Sequence, residues 1–251
     1  MLSSSIQSSI VTPAEEVRQL AKRLPEGLPA RVFTKLDAAE VLPVPLASAG
    51  NNRPNQTALA TGSPMEIVWN HRWEYDKGIE LLAHIIEQVK ETRIRFRFHI
   101  AGQQFSQRPE AFEAIDRHLD EISAISDMPR GNFGYIEDEG QYQALLASCH
   151  VALSTAKHDF QGLSVQQNCL AGCQAAVPNA MVYPEYVPPQ FRYKTRKDCR
   201  QTAAAAVSLL RHIRLKLEDG AWSKIDLSAY SGPDLLNRYR DLVLSLINNQ
   251  S

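Results

Sequence analysis

The chain has 251 residues, is 44% hydrophobic and 22% charged, and carries a formal net charge of −1. That is enough apolar material for a packed core in one large domain or two small ones. The near-neutral balance excludes a broadly basic nucleic-acid surface and leaves room only for a local patch.

Residues 1–12 hold neither a basic start nor an apolar run of signal-peptide length, and no stretch approaches the ~18 apolar residues of a membrane span, so a cytoplasmic chain with no membrane partner is expected. Pro13 to Leu24 reads as a helix. Thr12 caps it, Pro13 takes its first position, and Val17, Leu20, Ala21 and Leu24 make its apolar stripe. Val41 to Leu46 (VLPVPL) is a short extended piece. Ala47 to Pro64 is rich in Ser, Asn, Gly, Thr and Pro and marks a linker or exposed loop. That composition shift sets the expected boundary: residues 1–62 as one unit, 63–251 as the other.

From Glu66 the chain alternates strand and helix. Ile67–Asn70 is a strand and Gly78–Lys90 a helix with Ile79, Leu82, Ile85, Ile86 and Val89 on one side. Ile94–Ala101 is a strand whose start alternates with Arg93, Arg95 and Arg97, which predicts cover on one face only there. Pro109–Ile125 is helical, Asn132–Ile136 a strand, Glu139–Ser148 a helix and Val151–Ser154 a strand. A turn through Gly162 leads to a helix from Leu163 to Gly172, and Ala175–Val177 begins another strand. Tyr183–Tyr186 reads as a loop packed on the same rim. Lys197–Leu217 and Pro233–Asn248 are helices. Repeated βα units predict an α/β, Rossmann-like parallel sheet with helices on both faces and ligands at the carboxyl ends of its strands.

That rule selects the residues. Asn70, His71, Arg72 and the loop to Lys77 follow one strand; Gly102 and Gln103 follow the next; Thr155 to Gly162 follow a later one. The strand–glycine turn–helix of LSTAKHDFQGLSVQQ aims backbone N–H groups of Gly162, Leu163 and Ser164, and a positive helix end, at an anion. Asp159 in the turn and Gln167 in the helix put acceptors on either side of it. Arg72 and Lys77 are either anion ligands or a solvated pair beside Glu74 and Asp76. His158 is a ligand contact or a turn residue, Gln167 an acceptor or a helix-surface residue, and Trp69 reads as core. Neither GxGxxG nor GxxxxGK[ST] is present, which argues against NAD enzymes and P-loop NTPases, and no Gly-x-Ser-x-Gly elbow supports a hydrolase. Cys149, Cys169, Cys173 and Cys199 read as buried thiols of a reducing compartment; Cys169 and Cys173 lack the second pair that a zinc site needs.

The runs IVWNHRWEYDKG (Ile67–Gly78), VLPVPL and the Ser154–Pro188 stretch resemble the donor-binding core of retaining GT-B glycosyltransferases of family 4, and within it the tRNA-queuosine mannosyltransferase and glycosyltransferase-like domain group. The resemblance covers roughly residues 20 to 200. It implies the C-terminal, donor-binding half of a two-domain fold at 63–251, preceded by a remnant of the acceptor domain at 1–62. It implies a GDP-mannose donor, queuosine in tRNA as acceptor, retention at the anomeric carbon, and no cofactor or metal. Arg72 and Lys77 match positions that hold the diphosphate. Asp159 and Gln167 match a pair of glutamates that contact sugar and ribose, and both depart from it: Asp159 is one methylene shorter, and Gln167 offers one amide oxygen where a carboxylate offers two. The resemblance names no nucleophile. With so short a first unit, transfer by this chain alone is expected to be absent or slow. A non-catalytic nucleotide-sugar or tRNA-associated module is the alternative.

Overall fold

The computed structural model describes residues 42–46, 58–92, 94–104 and 109–248. The expected helix Pro13–Leu24, residues 47–57 of the linker stretch and Arg93 lie outside them.

Six parallel strands form the sheet, in the order β3-β2-β1-β4-β5-β6: β1 (Met65–Asn70), β2 (Phe96–Ala101), β3 (Phe133–Gly134), β4 (Val151–Leu153), β5 (Gln174–Pro178) and β6 (Arg192–Tyr193). The helices are α1 (Ile79–Thr92), α2 (Ala111–Ser126), α3 (Glu139–Ser148), α4 (Leu163–Leu170), the single turn α5 (Tyr183–Tyr186), α6 (Cys199–Glu218) and α7 (Pro233–Asn248). The chain builds outward from β1 through β2 to β3, then returns to lay β4 on the other side of β1. Connections therefore diverge between β1 and β4, and a crevice opens at their carboxyl ends.

Every residue of β1 is buried, which a strand needs when helices cover both faces. Met65, Ile67 and Trp69 point into the larger core with α1, α2 and α6. Val68 points the other way, into a smaller core with Leu145, Leu146, Ala152 and Cys173. On α1, Ile79, Leu82, Ile86 and Val89 recur at helical spacing and are fully or almost fully buried. Each such burial contributes about 1.5–3 kcal/mol. The alanine run of α6 favours helix, and Asp198 caps it by accepting from Arg200 N at 2.7 Å and Gln201 N at 3.4 Å.

Three readings change. The arginine-bearing face of β2 is not open: Arg97 Nε donates to Glu66 Oε2 at 2.7 Å, and His99 sits 2.9 Å from the same oxygen. His99 Nδ1 accepts from Asn132 N at 3.1 Å, so its proton is on Nε2 and is donated to Glu66. A charge pattern that looks solvent-facing is thus a paired, half-buried cluster. Tyr183–Tyr186 is a helical turn with Pro184 near its start, and Arg192–Tyr193 is a sixth strand. Four-residue and two-residue elements are too short to display a period. Leu59, within the linker stretch, is buried and donates its N–H to Leu217 O at 2.9 Å, so the end of that stretch packs on the core.

Candidate functional site

The loops after β1 and β4 meet at the crevice. A 3₁₀ turn, Tyr75–Lys77, carries the chain from β1 to α1 and ends at Gly78 with φ +67°. A Cβ on Gly78 would lie 1.9 Å from Thr155 O. Thr155 Oγ1 accepts from Trp69 Nε1 at 2.9 Å and donates to Lys77 O at 2.8 Å. Lys157 N and His158 N both donate to Asp76 O. The two loops are therefore one body. Trp69 is core, as expected, and Trp73 is equally buried, stacked on Phe112 at 3.9 Å.

A cavity of about 820 Å³ opens at this rim. Asn70, His71, Arg72, Asp76 and Lys77 line it from β1; His158, Asp159, Phe160, Gln161, Gly162, Leu163 and Ser164 line it from β4 and α4. Of the sequence-selected residues, Arg72, Lys77, His158, Asp159, Gly162 and Leu163 thus gather around one space. Gln167 does not line it; it sits exposed further along α4.

Lys77 is buried, with Nζ 2.9 Å from His158 O, 3.0 Å from Asp76 Oδ2 and 4.0 Å from Asp159 Oδ1. Its ammonium is fixed in place. Arg72 is the opposite case: its side chain is 59% exposed and pairs with Glu74 at 3.1 Å. The His158 ring is exposed and packs edge-on to Phe160, with centroids 4.6 Å apart.

Asp159 Oδ2 accepts from Tyr183 Oη at 2.8 Å, and Tyr183 Oη lies 2.7 Å from Ser154 Oγ. Because the phenol donates to the carboxylate, Ser154 donates to the phenol. Burial, then the Asp159 charge, push the Tyr183 phenol well above its ordinary range, so it remains a donor. The α5 turn given no chemistry from sequence is what aims Asp159. Gly162, φ +74°, begins α4 beneath it: a Cβ there would meet Tyr186 Oη at 2.5 Å and Tyr183 Cε1 at 3.0 Å.

No side chain caps α4. The N–H groups of its first turn therefore have no side-chain cap, and the helix end is electropositive, a geometry that suits an anion. His71 supports that turn, its Nδ1 3.2 Å from Ser164 Oγ. Burial outweighs the opposing pull of Asp159 and lowers the imidazole to about 4, so it is neutral near pH 7. Asn70 and Asn168 join β1 to α4 through a buried hydrogen bond, Asn168 Nδ2 donating to Asn70 Oδ1 at 2.7 Å, and Asn70 Nδ2 donates to Tyr142 Oη at 2.7 Å. Sequence reading missed that pair; lone asparagines on a strand end and a helix give no signal of meeting.

The far wall comes from residues before the linker. Gln161 clamps Val44 on both sides, accepting from its N at 2.7 Å and donating to its O at 2.9 Å. Leu46 N donates to Tyr230 O at 2.9 Å, and Tyr239 Oη to Pro43 O at 3.0 Å. Leu42, Pro43 and Val44 thereby become cavity lining. All four cysteines are free thiols, and burial pushes Cys169 up to about 12, which leaves it unreactive. Among the described residues no helix is long and apolar enough to cross a membrane.

No family model matches the chain. Over 178 residues it is 29% identical to a tRNA-queuosine alpha-mannosyltransferase of Drosophila melanogaster, a match that covers 71% of this chain and 45% of that protein. The chain thus spans less than half the length of that relative. A solved structure of S. aureus TarM, in complex with fondaparinux, α-GlcNAc-glycerol and UDP, superposes with a TM-score of 0.59 at 16% identity, over 93% of this chain and 43% of that one. The lipopolysaccharide outer core galactosyltransferase WaaB gives 0.54 at 11% identity, over 89% and 58%. The pneumococcal O-GlcNAc transferase GtfA, bound to UDP and GlcNAc, gives 0.52 at 14% identity, over 82% and 38%. The chain therefore has the fold of one Rossmann-like half of the GT-B type, the fold it shares with these structures.

Proposed function

We propose that the cavity between the β1 and β4 loops binds a nucleotide-sugar donor, GDP-mannose, and that the chain serves retaining mannosyl transfer to queuosine in tRNA. One observation carries this reading: a fixed ammonium, an uncapped helix end and a carboxylate converge on one space. Those three suit a ligand with an anionic diphosphate at one end and hydroxyls at the other. The volume is in the range of small-molecule sites, about 300–1,000 Å³.

In this reading the α4 amides and Lys77 hold the diphosphate, and Arg72 closes on it from solvent. As the sugar–phosphate bond breaks, the leaving nucleoside diphosphate gains negative charge, and preplaced donors stabilise that charge without reorganising. Asp159, held by Tyr183 and kept near Lys77, positions sugar hydroxyls. The likeness to the Drosophila relative supports mannose and queuosine, and the ligands named for TarM and GtfA support a nucleotide in this fold.

Calorimetric titration with GDP-mannose, GDP, UDP-glucose and NAD tests it. GDP-mannose and GDP are expected to saturate a single site. Lys77→Ala removes a charge-assisted contact of roughly 1.5–3 kcal/mol and is expected to weaken both on the order of tenfold to a hundredfold. Binding of NAD alone, or of no nucleotide by a folded chain, overturns the proposal. Consumption of GDP-mannose in the presence of queuosine tRNA separates a transferase from a binding module.

A further inference from the structure

The rim that holds the cavity continues past β5 to the edge strand β6, and the loop that follows is basic. Arg192, Lys194, Arg196, Lys197 and Arg200 fall in one short stretch whose single acid is Asp198. Lys194, Arg196 and Lys197 are exposed and form no ion pair with the described residues. The neighbouring cations differ: Lys157 pairs with Glu80 at 3.0 Å, and Arg200 approaches Glu87 at 3.9 Å. The Asp198 carboxylate is occupied with the first turn of α6. Thr202, buried on α6, anchors the loop. Its Oγ1 accepts from Arg196 N at 2.9 Å, and the hydroxyl faces the carbonyls of Arg196 and Asp198 at 3.2 and 3.1 Å.

Three like charges are thus held side by side on an anchored loop where Asp198 is the one acid of the stretch, which leaves a local excess of positive charge in a chain whose net charge is −1. Such an arrangement focuses a positive field at one place and attracts a polyanion. We infer that the β6–α6 loop is a docking surface for the phosphate backbone of an RNA, with Lys194, Arg196 and Lys197 as its contacts. The inference rests on the reading of the cavity as the donor site of an RNA-modifying transferase. Parallel strands place this loop on the same side of the sheet as that cavity, so an RNA lying on it runs toward the reacting sugar. A lipid surface fits less well, because none of the exposed large apolar residues lies between Arg192 and Arg200. Backbone contacts position the nucleic acid and carry no base preference.

The test is fluorescence anisotropy with a labelled tRNA anticodon stem-loop at salt concentrations from 50 to about 300 mM, a window over which counterion release is steep. Wild type is compared with the triple variant Lys194→Glu, Arg196→Glu, Lys197→Glu, and with Arg117→Glu, Lys224→Glu as a remote control. At about 0.7 per phosphate contact, the triple variant is expected to lower the slope of log K against log salt by about 2 and to weaken binding at 0.1 M salt on the order of a hundredfold. The control is expected to bind as wild type. An unchanged melting temperature shows that each variant is folded, and the GDP affinity, measured separately, reports on the donor site alone. Equal RNA affinity and slope in wild type and triple variant overturn the inference, as does the absence of RNA binding by wild type. Loss of binding to phosphatidylserine vesicles with RNA binding retained overturns it too. None of these results depends on whether GDP binds, so failure of the docking surface and failure of the donor site are separate outcomes.

Discussion

Replacing Gly78 by alanine probes the junction on which the cavity depends. Two costs add. At φ +67°, an L-residue loses roughly 1–2 kcal/mol relative to its preferred backbone. The new Cβ also lies 1.9 Å from Thr155 O and 2.9 Å from Thr155 C. Both are main-chain atoms, so no rotamer change relieves the clash. The β1 and β4 loops must separate by more than an ångström, which strains or breaks the Thr155 hydrogen bonds to Lys77 O and Trp69 Nε1. Overpacking costs about 1–3 kcal/mol and each lost hydrogen bond about 0.5–1.5 kcal/mol. The expected total is on the order of 3–5 kcal/mol, a large part of a typical domain stability of about 5–15 kcal/mol. Gly62→Ala is the matched control: Gly62 has φ +83°, yet a Cβ there meets nothing within 4 Å. It should cost only the backbone part. Urea unfolding of both variants gives the comparison, with the difference in midpoints read at constant slope. If Gly78→Ala costs no more than Gly62→Ala, the two loops are not one body and the argument for a fixed Lys77 fails with it.

Other outcomes follow from single groups. His71 is neutral when folded, with its imidazole lowered to about 4 against about 6.5 when unfolded. The unfolded chain then binds the extra proton first as pH falls, so this group's destabilisation appears between about pH 6.5 and 4. At about 1.4 kcal/mol per unit, His71→Asn should lose about 2–3 kcal/mol less than wild type between pH 7.5 and 4.5, and parallel stability curves would refute this. Tyr183→Phe removes the donor to Asp159 and leaves Ser154 Oγ buried, so it should cost about 1–3 kcal/mol by chemical denaturation. Adding Ser154→Ala should recover part of that loss; an additive double variant would show that the three groups do not act as a chain.

The βα alternation was legible because helices such as α1 bury residues at a regular spacing and the central strands are short apolar runs. Glu139–Ser148 and Pro233–Asn248 have the bounds that their sequence suggests, and α1 begins one residue after its glycine. The rim residues were legible for a topological reason: whatever follows a parallel strand lies at its carboxyl end. Contacts between distant segments were not. Nothing in VLPVPL indicates that Gln161 will clamp Val44, and nothing in Tyr183 indicates a hydrogen bond to Asp159. The polar face of β2 misled because Glu66, which neutralises Arg97, comes from the adjacent strand. Gln167 stands in the helix after the turn and matches a motif position, yet its exposed place on α4 puts it beyond the cavity lining.

The site's two fixed charges are held in different ways, and that difference bears on how it works. Lys77 is surrounded by acceptors: a carbonyl at 2.9 Å and carboxylates at 3.0 and 4.0 Å. In the proposed reading an arriving phosphate competes with Asp76 and Asp159 for the ammonium, which holds the net loss on Lys77→Ala to about tenfold to a hundredfold in affinity. The α4 amides have no side-chain competitor. The helix end should therefore supply most of the ground-state hold on the anion. In the proposed reading Lys77 would contribute more as charge grows on the leaving group, when a doubly charged phosphate outcompetes a carboxylate. Arg72, exposed and, among the described residues, paired with Glu74 at the surface, would in the same reading exchange that weak pair for phosphate at small cost. A Lys77 substitution should then reduce transfer rate more than donor affinity, whereas blocking the first turn of α4 should reduce affinity first.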